Sequence, residues 1–339
     1  MRSVWITKHG DRSALEVRDT PTPAPKAGEV RVKVERAGLN FADVSARSGL
    51  YPDAPPPPCV VGYEAAGVVE ALGEGVTSPA VGTRVMAMTR FWGQAEYVVV
   101  PADQAVPLPD AMSFDEAAAI PVNYLTAYHI LFRVAPVRPK EKVLVHMAAG
   151  GVGTAALQLL RTVPGVETFG TASASKHDHL RAMGCTYPID YRTLDYEAEV
   201  RRITGGKGVD IVMDALGGND LRKGYRLLRP AGRLVAFGFA NAQGPDGRDL
   251  LKLASAFVKT PFFHPLQLMG DNRSVAGVNL GHLWDEQEML REELEALLKL
   301  YAEGVVKPVI DGVYSFDQCR DAHARLETGK NVGKVLLKP

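Results

Sequence analysis

Between positions 29 and 39 valine alternates with charged residues, Val30, Val32 and Val34 on one side and Arg31, Lys33 and Glu35 on the other. A period of two is that of a half-buried strand. Similar segments recur at 60–71, 84–88 and 96–100, punctuated by Gly73-Glu74-Gly75 and Val81-Gly82-Thr83. Short strands between turn signals predict a small antiparallel barrel or sandwich in the first third. Pro55 to Pro58 form a stiff extended loop, because proline cannot donate to a ladder.

The pattern then changes. Ser113, with Glu116 three residues on, marks a helix start for 113–119, and a second helix covers 123–133. Beyond position 142, strands alternate with amphipathic helices. The predicted strands are 143–145, 167–170, 187–189, 209–214 and 233–238, and the predicted helices are 154–161, 176–183, 197–203 and 221–228. This is the signature of a parallel sheet covered by helices on both faces. After Gly238 the pattern loosens into a turn-rich connection, 241–248, and an apolar stretch, 250–269, which reads mostly as core between domains. A strand at 274–280, a helix at 285–301, a helix at 318–328 and a strand at 332–337 complete the chain. Lys330 to Lys334 read as a basic turn.

Lys142 to Leu160 is the stretch on which function turns. A short strand runs into Gly150, Gly151 and Gly153, then into an Ala/Leu-rich helix. The spacing is Ala148-x-Gly150-x-x-Gly153, with alanine in place of the usual first glycine. Gly150 lets backbone approach a pyrophosphate, and Gly153 lets the helix close on the strand. Amides at the helix start, Gly151 and Val152 among them, would hold phosphates. A plain strand-to-helix turn is the competing reading, and the repeated strand–helix pattern weighs against it.

Composition narrows the classes. The 339 residues suffice for two domains, and 39 basic residues balance 39 acidic ones. No basic patch or tail points to nucleic acid. Three scattered cysteines form neither a disulfide framework nor a Cys-x-x-Cys metal site. The first residues run into charged sequence, and no stretch reaches the roughly 18 apolar residues of a membrane span. A reducing cytoplasmic setting is expected.

The choice of coenzyme rests on Gly170 to Lys176. An acid in this region would bind a free ribose 2′-hydroxyl, but Thr171, Ser173, Ser175 and Lys176 stand there instead. Ser173 can donate to a 2′-phosphate, Lys176 can neutralise it, and Tyr191 would flank the adenosine. Ser175 reads equally as an N-cap of the helix that follows. A cation in a first helical turn is mildly unfavourable by itself, which favours NADPH.

Several motifs together resemble the zinc-free quinone oxidoreductases of the medium-chain dehydrogenase/reductase superfamily, and within them the homologues of synaptic-vesicle amine-transport protein. They are Gly38-Leu39-Asn40-Phe41-Ala42-Asp43 with Arg47-Ser48-Gly49-Leu50-Tyr51, the run Val145 to Gly153, the run Gly170 to His177, and Asn331 to Leu337. The resemblance covers essentially the whole chain. It implies an α/β protein with a Rossmann-type doubly wound parallel sheet and a GroES-like antiparallel β-barrel catalytic domain. Residues 1–123 and 264–339 would form the barrel domain, and 124–263 the NADPH-binding domain.

Zinc-dependent relatives keep metal ligands where this chain resembles them at Asn40, Tyr63 and Val122. None of these is a thiolate or imidazole, so no zinc is expected. Without a metal to stabilise an alkoxide, hydride addition favours acceptors whose charge spreads over a conjugated system. Quinones and α,β-unsaturated carbonyls fit, with the protein positioning the reactants and hydrogen-bonding the oxygen.

The resemblance places Asn40 near the nicotinamide as a catalytic residue in contact with coenzyme or substrate, Thr126 beneath the nicotinamide ribose, Gly238 and Phe239 beside the carboxamide, and Asn331 over the coenzyme. Asn40 also reads as a turn asparagine, and Thr126 as a back-bonded helix residue. Asp43 is expected to tie its loop to its neighbours. Tyr51 is the candidate proton donor, or a loop aromatic packed on the prolines. His146 and His129 stand without a carboxylate that sequence identifies, and a packing or turn role is expected for His146. A homodimer paired through the strand at 274–280 is expected. The reading is an NADPH-dependent reductase of apolar quinones or enones. The alternative is a nucleotide-carrying protein that binds lipid or a vesicle surface, although no basic amphipathic helix or lipidation signal supports it.

Overall fold

Two large sheets divide the molecule in the computed structural model, which describes residues 1–244 and 249–339, and a third, of two strands, pairs Arg2–Ile6 with Leu15–Asp19. The expected connection at 241–248 therefore lies partly outside the described residues. Its described part holds a short 3-10 turn, Ala240–Ala242.

The first sheet has seven strands. Ile310–Ser315, Lys334–Lys338, Glu29–Leu39, Glu64–Leu72, Arg84–Met88 and Ala105–Pro107 lie side by side, and Tyr97–Pro101 adds to Glu29–Leu39. All pairs are antiparallel except Ile310–Ser315 with Lys334–Lys338. Its core takes the apolar side of the alternating strands, with Val30, Val32 and Val34 buried. Residue 67 must be glycine for the sheet to form, since a Cβ there would lie 1.9 Å from the Lys33 carbonyl oxygen. The C-terminal strand thus closes a sheet begun near the N-terminus.

The second sheet has six parallel strands in the order Tyr187–Asp190, Glu167–Ala172, Lys142–Val145, Val209–Asp214, Leu228–Ala236, Ser274–Gly277. Strand order reverses on either side of Lys142–Val145, which makes the carboxyl end of that strand the topological switch point. The resemblance assigns Ser274–Gly277 to the barrel segment, yet its ladder partner is Leu228–Ala236.

Two readings need correction. The stretch 250–269 is not core. It forms helices Leu250–Lys259 and Pro265–Asp271, on which Leu251, Phe257, Val258, Leu266 and Met269 are exposed, with Phe262 exposed between them. Ala256 is buried, and Phe263 packs on Tyr225 with ring centroids 5.0 Å apart. Apolar content without a partner for every face does not bury a helix. Lys334, read as part of a basic turn, opens a strand and is 3% exposed.

Candidate functional site

At the switch point a cleft of about 930 Å³ runs between the two sheets. Its floor is the glycine turn. Gly150 is the N-cap of helix Gly151–Leu160, and its N–H donates to the Met147 carbonyl at 2.8 Å. A Cβ on residue 153 would lie 2.5 Å from Ala148 Cα, so helix and strand meet as the fingerprint requires. A Cβ on residue 151 would lie 2.0 Å from Asn123 Nδ2. The turn therefore offers bare backbone amides at a helix start, which suits an anionic phosphate.

Most of the expected residues line this cleft. Asn40, Thr126, Gly150, Gly151, Val152, Gly153, Ser173, Lys176, Tyr191, Gly238 and Asn331 all face it. Ser173 and Lys176 sit together at one end, after strand Glu167–Ala172. Lys176 Nζ donates to the carbonyls of Gly329 at 2.7 Å and Asn331 at 2.6 Å, which holds the C-terminal tail over the cleft. Burial lowers its pKa, with the positive charges of Arg325 and Arg192 adding to the fall and Asp311 opposing it. Ser175 does not cap the following helix; its hydroxyl lies 3.2 Å from that of Ser173. Asn331 Nδ2 bonds its own turn at the Gly333 carbonyl, 3.0 Å away.

Phe239 and Tyr51 fall outside the lining. The Phe239 ring packs over Gly217, where a Cβ would lie 2.0 Å from it. The Tyr51 hydroxyl donates to Asn279 Oδ1 at 3.4 Å, and its ring meets Tyr63 edge-on, centroids 5.8 Å apart. Burial, then the Asp53 charge, pushes the Tyr51 phenol up to about 12.

Asn40 and Lys334, on the cleft wall, belong to a buried polar cluster that sequence reasoning missed. Asn40 Nδ2 donates to Glu64 Oε1 at 2.8 Å, and the Val122 N–H donates to Glu64 Oε2 at 2.8 Å. Lys334 Nζ donates to Asn40 Oδ1 at 2.6 Å and also to Glu64. Asp43 Oδ2 accepts the Asn40 backbone N–H at 2.7 Å. Burial raises the Asp43 carboxyl to about 7, opposed by that hydrogen bond and by the Lys334 charge. The tail that carries Lys334 is fixed by the Gly333 N–H, which donates to the Ala149 carbonyl at 2.8 Å. The adjacent positions Gly38-Leu39-Asn40 and Gly62-Tyr63-Glu64 were visible in sequence, but no local signal joined them to Lys334.

The histidines divide. His146 is buried at the cleft wall, with Nδ1 3.1 Å from Thr171 Oγ1 and its ring edge-on to Tyr196, and burial lowers its pKa. His129 does have a carboxylate partner, Glu293, 3.0 Å away on helix Gln287–Ala302. Among the described residues no group of three or more His, Cys, Asp or Glu side chains is arranged to hold a metal ion. No helix among them is long and apolar enough to cross a membrane.

Comparison with known proteins agrees with this architecture. Residues 26–110 match the alcohol dehydrogenase GroES-like domain, and residues 183–337 match a zinc-binding dehydrogenase model. The chain is 48% identical to the human synaptic vesicle membrane protein VAT-1 homolog over 341 aligned positions, covering 100% of this chain and 86% of the relative. The structure of Escherichia coli quinone oxidoreductase complexed with NADPH superposes with a TM-score of 0.88 at 30% identity, covering 100% of both chains. The CurK enoyl reductase superposes with a TM-score of 0.85 at 29% identity, covering 99% of this chain and 98% of that one.

Proposed function

The chain belongs to the VAT-1 homolog family, within the quinone oxidoreductase-like medium-chain dehydrogenases/reductases, and on that premise we propose that it is an NADPH-dependent reductase of quinones or α,β-unsaturated carbonyl compounds that needs no zinc. The observation that carries the reading is the cleft itself. A phosphate cradle at Gly150 to Gly153, a hydroxyl–lysine pair, Ser173 and Lys176, and Asn40 of the buried cluster line one cleft. The fit to a phosphorylated dinucleotide is steric as well as electrostatic. The cradle excludes any Cβ at 151 or 153, and Lys176 keeps one of its three N–H donors beyond the two tail carbonyls. When bound, NADPH supplies the hydride.

The chain's own residues bind, orient and exclude water. Gly150, Gly151, Val152 and Gly153 take the pyrophosphate, Ser173, Lys176 and Tyr191 the adenosine end, and Thr126, Gly238, Phe239 and Asn331 the nicotinamide end. Asn40 meets the reacting region, while Tyr51, expected as the proton donor, has its hydroxyl on Asn279 and its ring on Tyr63, which favours a packing role. A conjugated acceptor is favoured because the positions that resemble the relatives' zinc ligands, Asn40, Tyr63 and Val122, offer neither thiolate nor imidazole to hold a Lewis acid for an alkoxide. NADPH oxidation followed against a panel of quinones and enones tests the reading; NADPH binding without turnover of any acceptor would overturn the enzyme assignment. Two units are proposed, 1–123 with 264–339 and 124–263, with Ser274–Gly277 lent to the parallel sheet. A cytoplasmic homodimer joined through that edge strand is also proposed, and a light-scattering mass of one chain would refute it.

A second reading has its own support. Leu251, Phe257, Val258, Phe262, Leu266 and Met269 expose apolar surface on consecutive segments, Phe262 at 85%. Such a patch suits a lipid surface or a partner. Flotation with liposomes of anionic phospholipid tests it, and a protein that stays with the soluble fraction rules out attachment by this face.

A further inference from the structure

A second cavity, of about 520 Å³, lies outside the coenzyme cleft and shares no lining residue with it. That volume is in the range of small-molecule sites. The chain has three tryptophans, and all three gather here. Trp92 and Trp284 line the cavity, and Trp5 meets Trp92 edge-on with ring centroids 5.6 Å apart. Trp92 has a φ of 68°, a left-handed backbone that a bulky residue adopts against strain. It is nevertheless 40% exposed, so burial does not account for the strain. Phe91 and Tyr97 add two more rings. The charged side chains in the lining, Arg90 and Asp285, are exposed and of opposite sign, which suits an uncharged ligand.

The remaining wall is the outer edge of strand Tyr97–Pro101. Among the described residues its one ladder partner is Glu29–Leu39. Val98 and Val100 belong to the barrel core, yet they line the cavity together with Val99, so the cavity runs along the strand's edge. The Val34 N–H donates to the Glu96 carbonyl at 2.9 Å, in the same register that sets Val32 opposite Val98. Hydrogen-bonded pairs alternate along an antiparallel ladder. Val98 and Val100 therefore spend their N–H and C=O on the sheet, and Val99 turns both outward. Pro101, two residues on, obeys the same alternation, since proline is tolerated where no ladder donor is needed. Among the described residues no backbone hydrogen bond reaches Val99 from the outer side.

We propose that this cavity is a second ligand site, for a planar, uncharged heteroaromatic molecule that carries a hydrogen-bond donor and an acceptor side by side. The aromatic walls take the ring, while the Val99 C=O and N–H take donor and acceptor as they would take a neighbouring strand. The site is independent of the coenzyme and of the reaction proposed above.

The probe is 7-azaindole, whose N–H and ring nitrogen are adjacent. Indole keeps the donor alone, and 1-methyl-7-azaindole the acceptor alone. In the ¹⁵N-labelled full chain the three indole N–H resonances, assigned by W5F, W92F and W284F, report on the cavity. Titration with 7-azaindole should shift those of Trp92 and Trp284 to saturation. Each control should bind about three- to tenfold more weakly, the loss of one hydrogen bond. Val99→Pro removes the outward N–H and no ladder bond. It should bring 7-azaindole down to the affinity of indole and leave indole and NADPH binding unchanged. Should that variant fail to fold, the three probes on the parent chain still decide. The parent titration should be the same in the presence of NADPH. No saturable shift, equal binding of the three probes, a folded Val99→Pro that binds 7-azaindole as the parent does, or shifts lost on adding NADPH would each overturn the proposal, the last by placing the probe in the coenzyme cleft.

Discussion

The Asn123 side-chain amide occupies the space that a Cβ on residue 151 would need, with Nδ2 2.0 Å from that point. Helix Pro121–Tyr128 and the glycine turn are therefore fitted to each other at a single side chain. The obstacle at residue 153 is of another kind, being the Ala148 backbone at 2.5 Å. A side-chain end can swing away, and a backbone cannot. Gly153→Ala should cost about 1–3 kcal/mol of stability by forcing the helix off its strand, and Gly151→Ala clearly less. Urea unfolding of both variants checks the order; equal losses would contradict it. Both should weaken NADPH binding, since each disturbs the cradle.

Lys176 carries the coenzyme preference in this reading. It also clamps the tail through two carbonyls, so its loss should weaken NADPH and NADH together. The ratio of the two isolates the phosphate. Lys176→Ala should lower the preference for NADPH over NADH by about ten- to a hundredfold, the range of one charged hydrogen bond. Fluorescence titration with each coenzyme measures it, and an unchanged ratio would remove Lys176 from phosphate recognition.

Asp43 gives a pH dependence with a definite sign. Burial holds its carboxyl at about 7, above its ordinary value of 3.8. Between those values the native chain keeps a proton that the unfolded chain has released. The stabilisation from this group is therefore complete below the unfolded value and disappears as pH rises through about 7. Asp43→Asn cannot titrate, and its amide can still accept the Asn40 N–H. The melting temperature of the parent should fall relative to that of the variant from about pH 5 to about pH 8. Parallel curves would place the Asp43 pKa elsewhere.

For Tyr51 the geometry favours packing over proton transfer. Its hydroxyl is spent on Asn279, its ring rests on Tyr63, and its phenol sits at about 12. Tyr51→Phe should retain turnover within about threefold, since only a weak 3.4 Å hydrogen bond is lost. A fall of a hundredfold or so in kcat with unchanged KM would restore it as the proton donor.

Periodicity carried the parallel sheet. Val209–Asp214 has the predicted bounds. Gly150 to Gly153 were legible because steric demands leave a composition that survives in a single sequence. The cluster at Asn40 was not legible, because burial of Lys334 depends on Glu64, 270 positions away, and nothing local distinguishes it from a lysine in a turn. His129 and Glu293 meet across 164 positions in the same manner. The stretch 250–269 misled for the opposite reason. Its leucines and phenylalanines imply burial by composition, and only the packing reveals that Leu251, Phe257 and Val258 of helix Leu250–Lys259 are exposed.

Gly329, Asn331 and Gly333 each bind a residue of the parallel-sheet unit, and the next few residues complete the other sheet. Residues 329–338 must therefore be synthesised and free to fold back before the groove has a roof and before the seven-stranded sheet has its penultimate member. Until then Glu64 has no ammonium to answer it, and the surface meant for a coenzyme lies open to whatever it meets.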